Sequence, residues 1–391
     1  MFFKNIESIT ENDLNDLVEK EVFEKRTLEY KECFPGNSVS DKKELLADVS
    51  SFANSAGGYM IFGIREKKGV PQEVKGFENN IIDQEKTRLE NMIINGISPR
   101  ITGINFRSIK VKNNKYVLII KIPRSFAGPH RVIYNHHDKF YTRDNACKHQ
   151  MDISELRNAF NKTEENINKI KEFRENRISK IYANQTPVPF SYNAKLVLHL
   201  IPFVSVFSGQ RYSLNSLNNV YDKLEPISKG NIYSNSYNSD GLVTYSKGGE
   251  NKYHSYVQLF NNGIIEALEG KYLDPMNYEG ELIIRATPYE NRIIEVLKKY
   301  ILTLKELNIE LPITIAITFV GVRGYKISQK EGKYSLEEKK PIDKDILYLP
   351  EVTIERYNVS VPNILKAPFD ILWNASGVPG SPNYNEEGKR I

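Results

Sequence analysis

The residues best suited to chemistry are two glutamates and a lysine near residue 30. Glu24 precedes a stretch, Thr27–Phe34, that alternates like a β-strand, and Glu29 and Lys31 share one of its faces. Two carboxylates brought together at the start of a strand can hold Mg²⁺ or Mn²⁺, which activates water for phosphodiester cleavage. Lys31 would then neutralise the scissile phosphate. The same pattern also fits a plain ion pair between Glu29 and Lys31, which contributes little stability.

A second group of polar residues follows a glycine-rich segment. Gly57 and Gly58 permit a tight turn from a helix into a buried strand, and Arg65 and Glu66 project from the exit of that strand. Functional groups are often carried by loops at such exits. By pattern alone, this segment is a helix packed on a strand and followed by a loop.

Basic residues concentrate further along the chain. Arg131, Arg143 and Lys148 lie in a region of hairpins, and more lysines and arginines follow on a long helix. These residues could line a groove that tracks phosphates. On the helix, interleaved glutamates favour a solvated, salt-bridged face instead.

Metal sites built on cysteine or histidine are disfavoured. The chain has two cysteines, too few for a zinc cluster or a disulfide framework. His136 and His137 with Asp138 could bind a transition metal, but a polar hairpin tip is the favoured interpretation. His199 lies in an apolar strand and is expected to be a hydrogen-bonded core residue.

Composition narrows the class of protein. The 391 residues fit two domains, and 40% apolar and 26% charged residues are typical of globular proteins. A net charge of +5 permits an RNA or DNA partner without requiring one. We find no P-loop motif, no secretory signal and no apolar stretch of membrane-spanning length, which predicts a cytoplasmic protein without a membrane partner.

Hydrophobic periodicity, together with turn and capping residues, predicts an α+β chain. A few of its elements position the residues named above. The N-terminal elements are a helix over Ile9–Lys20, a helix over Asp41–Ser55 capped by Asp41, a buried strand over Tyr59–Ile64, and hairpins around Asn113-Asn114 and His136–Asp138. Asp152 and Glu155 form a capping box that opens a long helix, and Thr186–Pro189 marks a boundary. We therefore predict an N-terminal domain over 1–160, a helical linker over 161–185, a C-terminal α+β domain over 186–375 and a loosely ordered tail over 376–391.

Several ordered motifs resemble the signature of the Schlafen AlbA-like domain. They are Leu28-Glu-Tyr-Lys31, Ser51-Phe-Ala-Asn-Ser-Ala-Gly-Gly58, Ile61-Phe-Gly-Ile64, Lys139-Phe-Tyr-Thr-Arg143 and Met151-Asp-Ile-Ser-Glu155. The resemblance covers roughly residues 21 to 160 and implies an α/β domain with a mixed sheet and hairpins. Bacterial members have carried an ATP-binding label, but this chain has no recognisable phosphate cradle.

In vertebrate members this domain cleaves tRNA or rRNA with two glutamates and one aspartate on a divalent metal. By resemblance the glutamates are Glu24 and Glu29, whereas the aspartate position carries Arg65, which removes a metal ligand and repels the cation. Glu66 is then the candidate third carboxylate, provided the strand has ended, because neighbouring residues of a strand face opposite ways. The zinc cluster of vertebrate members is not expected. Since those members have two related lobes and this chain shows one, a homodimer is implied.

The expected function is nucleic-acid binding, with tRNA-like RNA or DNA as partner, and two alternatives stay open. The first is a metal-dependent endoribonuclease of host defence or stress response, with Mg²⁺ or Mn²⁺ on Glu24, Glu29 and Glu66 and with Lys31 assisting. The second is a non-catalytic regulator. In either case the expected nucleic-acid contacts are Lys31, Arg65, Arg131, Arg143 and Lys148. ATP binding is a third and weaker alternative.

Overall fold

The computed structural model describes residues 6–145, 147–190, 192–207, 211–213, 220–230, 232–249, 252–328 and 340–391. The chain forms two compact units, Met1–Ile167 and Asn168–Ile391. Both contain helices and sheets, so the predicted α+β class is confirmed. The predicted domain boundaries at residues 160, 185 and 375 stay predictions.

The helices of the described residues include the three that the sequence predicts. They are α1 (Glu11–Glu19), α2 (Val39–Ala53), α3 (Asn79–Gly96), α4 (Ile153–Tyr182), α5 (Phe203–Phe207), α6 (Ala286–Glu306), α7 (Val361–Ile364) and α8 (Lys366–Asn374). No helix in the described part of the chain is both long enough and apolar enough to cross a bilayer.

The strands belong to separate sheets in the two units. Unit 1 contains β1 (Leu28–Lys31), β2 (Gly58–Phe62), β3 (Ile64–Lys67), β4 (Val70–Val74), β5 (Ile97–Ser98), β6 (Asn105–Val111), β7 (Lys115–Ile122), β8 (Arg131–Val132), β9 (Lys139–Asp144) and β10 (Cys147–Gln150). Unit 2 contains β11 (Lys195–Pro202), β12 (Ile232–Asn238), β13 (Gly241–Gly249), β14 (Lys252–Phe260), β15 (Ile265–Glu269), β16 (Ile283–Arg285), β17 (Ile313–Val320), β18 (Lys326–Ser328), β19 (Ile346–Tyr348) and β20 (Val352–Ile354).

The first sheet of unit 1 has strand order β1-β2-β7-β6 and is buried on both faces. The pairing of β1 with β2 is parallel, and the other pairings are antiparallel. Met60 and Phe62 point into a core shared with α2 and α3, whereas Tyr59 and Ile61 point into the core shared with α1. Leu28 and Tyr30 belong to the α1 core. Because side chains alternate along a strand, Glu29 and Lys31 point to the α2 side.

Helix α2 starts earlier than its sequence pattern indicated. The Ser38 hydroxyl accepts a hydrogen bond from the Asp41 backbone N–H at 3.1 Å, so Ser38 is the cap and Asp41 lies in the first turn. After α2, Gly57 has a positive φ of 68°, and a Cβ atom there would lie 2.4 Å from the backbone nitrogen of Arg124. This close approach explains why the turn into β2 needs glycine.

A second sheet of unit 1, with order β10-β9-β8-β5, is joined to the end of α2 through Asn54. The Asn54 side-chain amide donates to the carbonyl oxygens of His130 and Tyr141, and its oxygen accepts from the His130 backbone N–H. The side chains of β9 and β10 are thereby held against the helix that faces Glu29.

Unit 2 is built on one large sheet of order β12-β13-β14-β15-β11-β17-β19, with β20 also paired to β17. Helix α6 packs on one face, and Ile178 and Ile181 of α4 pack on the other. His199 of β11 is fully buried, and its Nε2 lies 3.0 Å from the Glu266 carboxylate. The prediction of a hydrogen-bonded core histidine is confirmed.

The C-terminal segment is better anchored than its composition indicated. The buried carboxylate of Glu290 accepts hydrogen bonds from Ser381, Asn383 and Arg390, and the indole of Trp373 donates to it as well. The loosely ordered tail expected over residues 376–391 is therefore not what the structure shows, because a buried carboxylate recruits its polar groups.

Candidate functional site

Glu29 lies at the centre of a buried ionic network on the α2 side of β1. Its Oε1 atom is 2.6 Å from the ammonium nitrogen of Lys31, and its Oε2 accepts a hydrogen bond of 2.8 Å from the guanidinium of Arg143. Burial alone would raise the pKa of Glu29, but the positive charges of Lys31 and Arg143 hold it below its usual value. The predicted same-face arrangement of Glu29 and Lys31 is what the structure shows.

Asp48 of α2 completes this network and was missed by sequence reasoning. Its Oδ2 lies 3.2 Å from the Lys31 ammonium, and its Oδ1 lies 2.5 Å from that of Lys148. Lys148 also pairs with Glu44 at 2.5 Å. Burial raises the pKa of Asp48, and the neighbouring charge of Glu29 raises it further. The available signal was a charged residue on the apolar stripe of α2, beside Leu45 and Phe52.

Arg143 does not lie where a nucleic-acid contact was expected. It is one of the most deeply buried large side chains, 2% exposed, and its guanidinium carbon lies 3.8 Å from the centre of the Phe52 ring. A residue in this position is unable to reach a phosphate without unfolding its surroundings. Its role is to neutralise Glu29.

Glu24 and Glu66 meet at the edge of the network, around Gly69. The Glu24 side chain accepts a hydrogen bond of 2.9 Å from the Tyr30 backbone N–H, and its own backbone N–H donates to the Gly69 carbonyl. The Gly69 backbone N–H in turn donates to Glu66 Oε2 at 2.6 Å. Burial raises the pKa of Glu24, and the charges of Glu29 and Glu66 add to this effect. The three predicted carboxylates therefore share one region.

Arg65 and Glu66 are neighbours in β3, so their side chains point to opposite sides of the β3–β4 hairpin. The register of β3 with β4 shifts at this point because β4 contains one extra residue, Gln72, which forms a β-bulge and leaves β3 continuous. The Arg65 guanidinium pairs with Glu73 at 2.7 Å. The hydrogen bond from Lys75 lowers the pKa of Glu32, which lies one residue beyond Lys31, and the nearby charge of Arg65 also lowers it. Arg65 thus points away from Glu24, whereas Glu66 points toward it. Because β3 continues to Lys67, the condition that the strand has ended at Glu66 is not met, and Glu66 faces Glu24 by ordinary alternation along the strand.

The carboxylates expected to hold Mg²⁺ or Mn²⁺ do not fit a divalent ion in this arrangement. Both oxygens of Glu29 face cationic nitrogens, those of Lys31 at 2.6 Å and of Arg143 at 2.8 Å. A metal ion bound to Glu29 would be repelled by these two positive charges. Glu24 and Glu66 each give an oxygen to a backbone N–H instead. Within the described ranges, no three histidine, cysteine, aspartate or glutamate side chains are grouped so that they could hold a metal.

A surface rich in lysines and rings lies where α2 begins and where β8 turns into β9. The Lys42 ammonium lies 5.9 Å from the centre of the Tyr134 ring, and the ring of His137 stacks on that of Tyr141, with Nε2 2.7 Å from the tyrosine hydroxyl. Burial lowers the pKa of His137, and the positive charges of Lys43 and Lys139 lower it further. We call this surface the basic–aromatic face, and its members are Lys42, Lys43, Tyr134, His137, Lys139 and Tyr141.

The lysines of this face differ from the other candidate cations of unit 1. Lys42, Lys43 and Lys139 form no ion pair with any residue in the described ranges, whereas Lys148 is held by Asp48 and Glu44. Arg131 lies nearby, 3.6 Å from Asp138, and is partly exposed. Of the predicted nucleic-acid contacts near this face, Arg131 is partly exposed, whereas Lys148 is bound to two carboxylates.

Two further histidines at this end of the unit each place one ring nitrogen against a local partner. His130 is buried with its Nδ1 2.7 Å from the Pro99 carbonyl oxygen, and His149 lies 2.9 Å from Glu155. Glu155 also completes the predicted capping box with Asp152.

Comparison with known proteins identifies the unit that carries these features. Residues 24–152 match the sequence model of the family described as "Schlafen, AlbA_2". These residues form a Schlafen AlbA_2 domain. The AlbA_2 domain contains both the Glu29 network and the basic–aromatic face, and its family points to a nucleic-acid-related function.

The remaining comparisons add little to this assignment. No curated protein matches the chain. Among solved structures, the chain is similar to the DIP2311 protein from Corynebacterium diphtheriae, with 16% identity over 36% of this chain and 26% of that one, and a TM-score of 0.24. The match thus spans about a quarter of that protein.

Proposed function

We propose that the AlbA_2 domain binds nucleic acid and that the basic–aromatic face makes the contacts. The observation that carries this proposal is the set of three lysines, Lys42, Lys43 and Lys139, that lack carboxylate partners among the described residues and surround stacked rings. Unpaired cations are available to phosphates, whereas cations already bound to carboxylates must first give up those partners. The family assignment of residues 24–152 supports the same conclusion.

The chemistry of the face favours a single-stranded or looped ligand. Lysines supply a charge attraction that does not depend on sequence, and the partly exposed rings of Tyr134 and Tyr141 can stack on unpaired bases. Stacking of this kind contributes about 1–3 kcal/mol per base. RNA and DNA both present the required phosphates and bases, and both belong in the test.

We assign no cleavage step to this domain. The endoribonuclease implied by the family resemblance needs Glu24, Glu29 and Glu66 on a divalent ion, and Glu29 is already neutralised by Lys31 and Arg143. Binding without hydrolysis accounts for the arrangement more simply. A homodimer, also implied by that resemblance, stays a proposal.

The test is fluorescence anisotropy with labelled 20-nucleotide single-stranded RNA and DNA across a series of salt concentrations. Replacing Lys42, Lys43 and Lys139 together by alanine should weaken binding at low salt and reduce the slope of log K against log[salt] by about 2, since each lost phosphate contact contributes about 0.7 for a single strand. The matched control replaces Lys110, Lys112 and Lys115, at the β6–β7 hairpin, and removes the same charge from the same unit. Equal losses in the two triple variants would show that only net charge matters and would refute the assignment to this face.

A further inference from the structure

The Glu29 network contains as many cationic as anionic side chains. Its carboxylates come from β1 and α2, and its cations from β1, β9 and β10, with every N–O distance at 3.2 Å or less. We propose that the Glu29 network needs no metal ion, because the Lys31 ammonium lies between Glu29 and Asp48 in the place that a divalent metal ion would take. The members of the network are Glu29, Lys31, Glu44, Asp48, Arg143 and Lys148.

The position of the Lys31 ammonium is the first support. It lies 2.6 Å from Glu29 and 3.2 Å from Asp48, so it joins carboxylates from two different elements. Such bridging between oxygens is the usual task of a small divalent ion in a carboxylate site.

The immobility of Arg143 is the second support. Lysine is a flexible chain that could swing out, but the Arg143 guanidinium is buried and stacked on Phe52. Glu29 therefore keeps one cationic neighbour even when Lys31 moves away. A metal ion in the place of Lys31 would bind the other oxygen of Glu29, Oε1, so the guanidinium at Oε2 weakens its binding without occupying its position.

Asp48 is then a positioning residue. It is 2% exposed and receives Lys31 on one oxygen and Lys148 on the other. Without Asp48, Lys31 would be held by Glu29 alone, and Lys148 by the exposed Glu44 alone. The two lysines are therefore expected to lose their fixed places together when Asp48 is neutralised.

The experiment measures binding of Mn²⁺ alone, from the loss of the electron paramagnetic resonance signal of the free ion, to the full-length chain. We expect no stoichiometric binding to the wild-type chain at micromolar Mn²⁺. Lys31→Met removes the bridging ammonium and should create one site that the wild type lacks, with at least a tenfold gain in affinity. The matched control is Lys75→Met, because Lys75 pairs with Glu32 in an exposed position at 2.7 Å. It should gain no site.

Two results would overturn the proposal. One is stoichiometric micromolar Mn²⁺ binding by the wild type that is lost in Glu29→Gln. The other is a Lys31→Met chain that keeps its circular dichroism spectrum and thermal midpoint and still binds no more Mn²⁺ than the wild type. If Lys31→Met does not fold, Lys31→Gln, which keeps hydrogen-bond donors but no charge, carries the same test. No nucleic acid is present, so the outcome is independent of the binding function proposed for the basic–aromatic face.

Discussion

The pairing of Glu29 with Arg143 should be one of the strongest single interactions in the AlbA_2 domain. Arg143→Met leaves the buried Glu29 carboxylate with only Lys31 as a charged neighbour, and we expect a loss of about 3–5 kcal/mol in the free energy of unfolding. Glu29→Gln removes the carboxylate partner of the buried Arg143 guanidinium and should cost about 1–3 kcal/mol. The double variant removes both charges, so neither is left buried without the other. Its loss in the free energy of unfolding should therefore be about 2 kcal/mol smaller than the sum of the losses in the two single variants.

The two units must be observed separately for this measurement. The single tryptophan, Trp373, is buried in unit 2, so its fluorescence during urea unfolding reports on that unit. Hydrogen exchange of the β2 and β7 amides, followed by mass spectrometry, reports on unit 1. The stability change should appear in the exchange data while the fluorescence midpoint stays fixed.

The control for this cycle is the exposed ion pair between Lys75 and Glu32, the residue that directly follows β1. Their side chains are 49% and 37% exposed, and the coupling from the same type of cycle should stay below about 1 kcal/mol. A Glu29–Arg143 coupling no larger than this control value would refute the argument that burial makes the network strong.

Three further predictions concern the pH dependence and the second unit. Burial raises the pKa of Glu269 to about 7, so its stabilising contribution is complete below about pH 4.5 and is lost as pH rises through 7. Glu269→Gln should remove this pH dependence of the free energy of unfolding, which is on the order of 3 kcal/mol. The measurement is urea unfolding followed by Trp373 fluorescence at pH 5 and pH 9. The same pH dependence of unfolding in the wild type and in Glu269→Gln would contradict this prediction. Arg177 binds the buried Glu266 through two hydrogen bonds of 2.7 and 2.8 Å, and Arg177→Met should destabilise unit 2 by about 3–5 kcal/mol in the same assay, whereas Lys180→Met, an exposed change on the same helix, should have little effect. Binding of a polyanion at the basic–aromatic face should raise the lowered pKa of His137, so affinity should be greater at pH 5.5 than at pH 7.5 in anisotropy titrations, and His137→Gln should bind with less dependence on pH.

Local patterns predicted the backbone of the AlbA_2 domain well. Alternation placed Glu29 and Lys31 on one face of β1, and the capping box at Asp152 correctly marked the start of α4, because both signals depend on neighbours within a few residues. The cap of α2 was misplaced by three residues, since Ser38 and Asp41 are both competent acceptors.

Long-range pairings were beyond the reach of those patterns. Arg143 is 114 positions from Glu29 along the chain, and nothing local indicates that it is buried under a carboxylate rather than exposed to solvent. Asp48 of α2 was overlooked for the same reason, since its partners Lys31 and Lys148 lie on two strands, β1 and β10. Lys42 and Lys43 were likewise passed over, because only the fold brings them beside the rings of the β8–β9 turn.

The alternation of Arg65 and Glu66 along β3 bears on how such domains should be compared with one another. An alignment read column by column records an arginine where a carboxylate is expected and scores the position as lost. In space, Arg65 points to Glu73, whereas the next side chain along β3, the acid Glu66, lies near Glu24. One residue inserted into or deleted from β3 would therefore exchange which side chain faces Glu24. Superposition of side-chain positions, rather than identity at a column, is the appropriate criterion for deciding which relatives keep this acid.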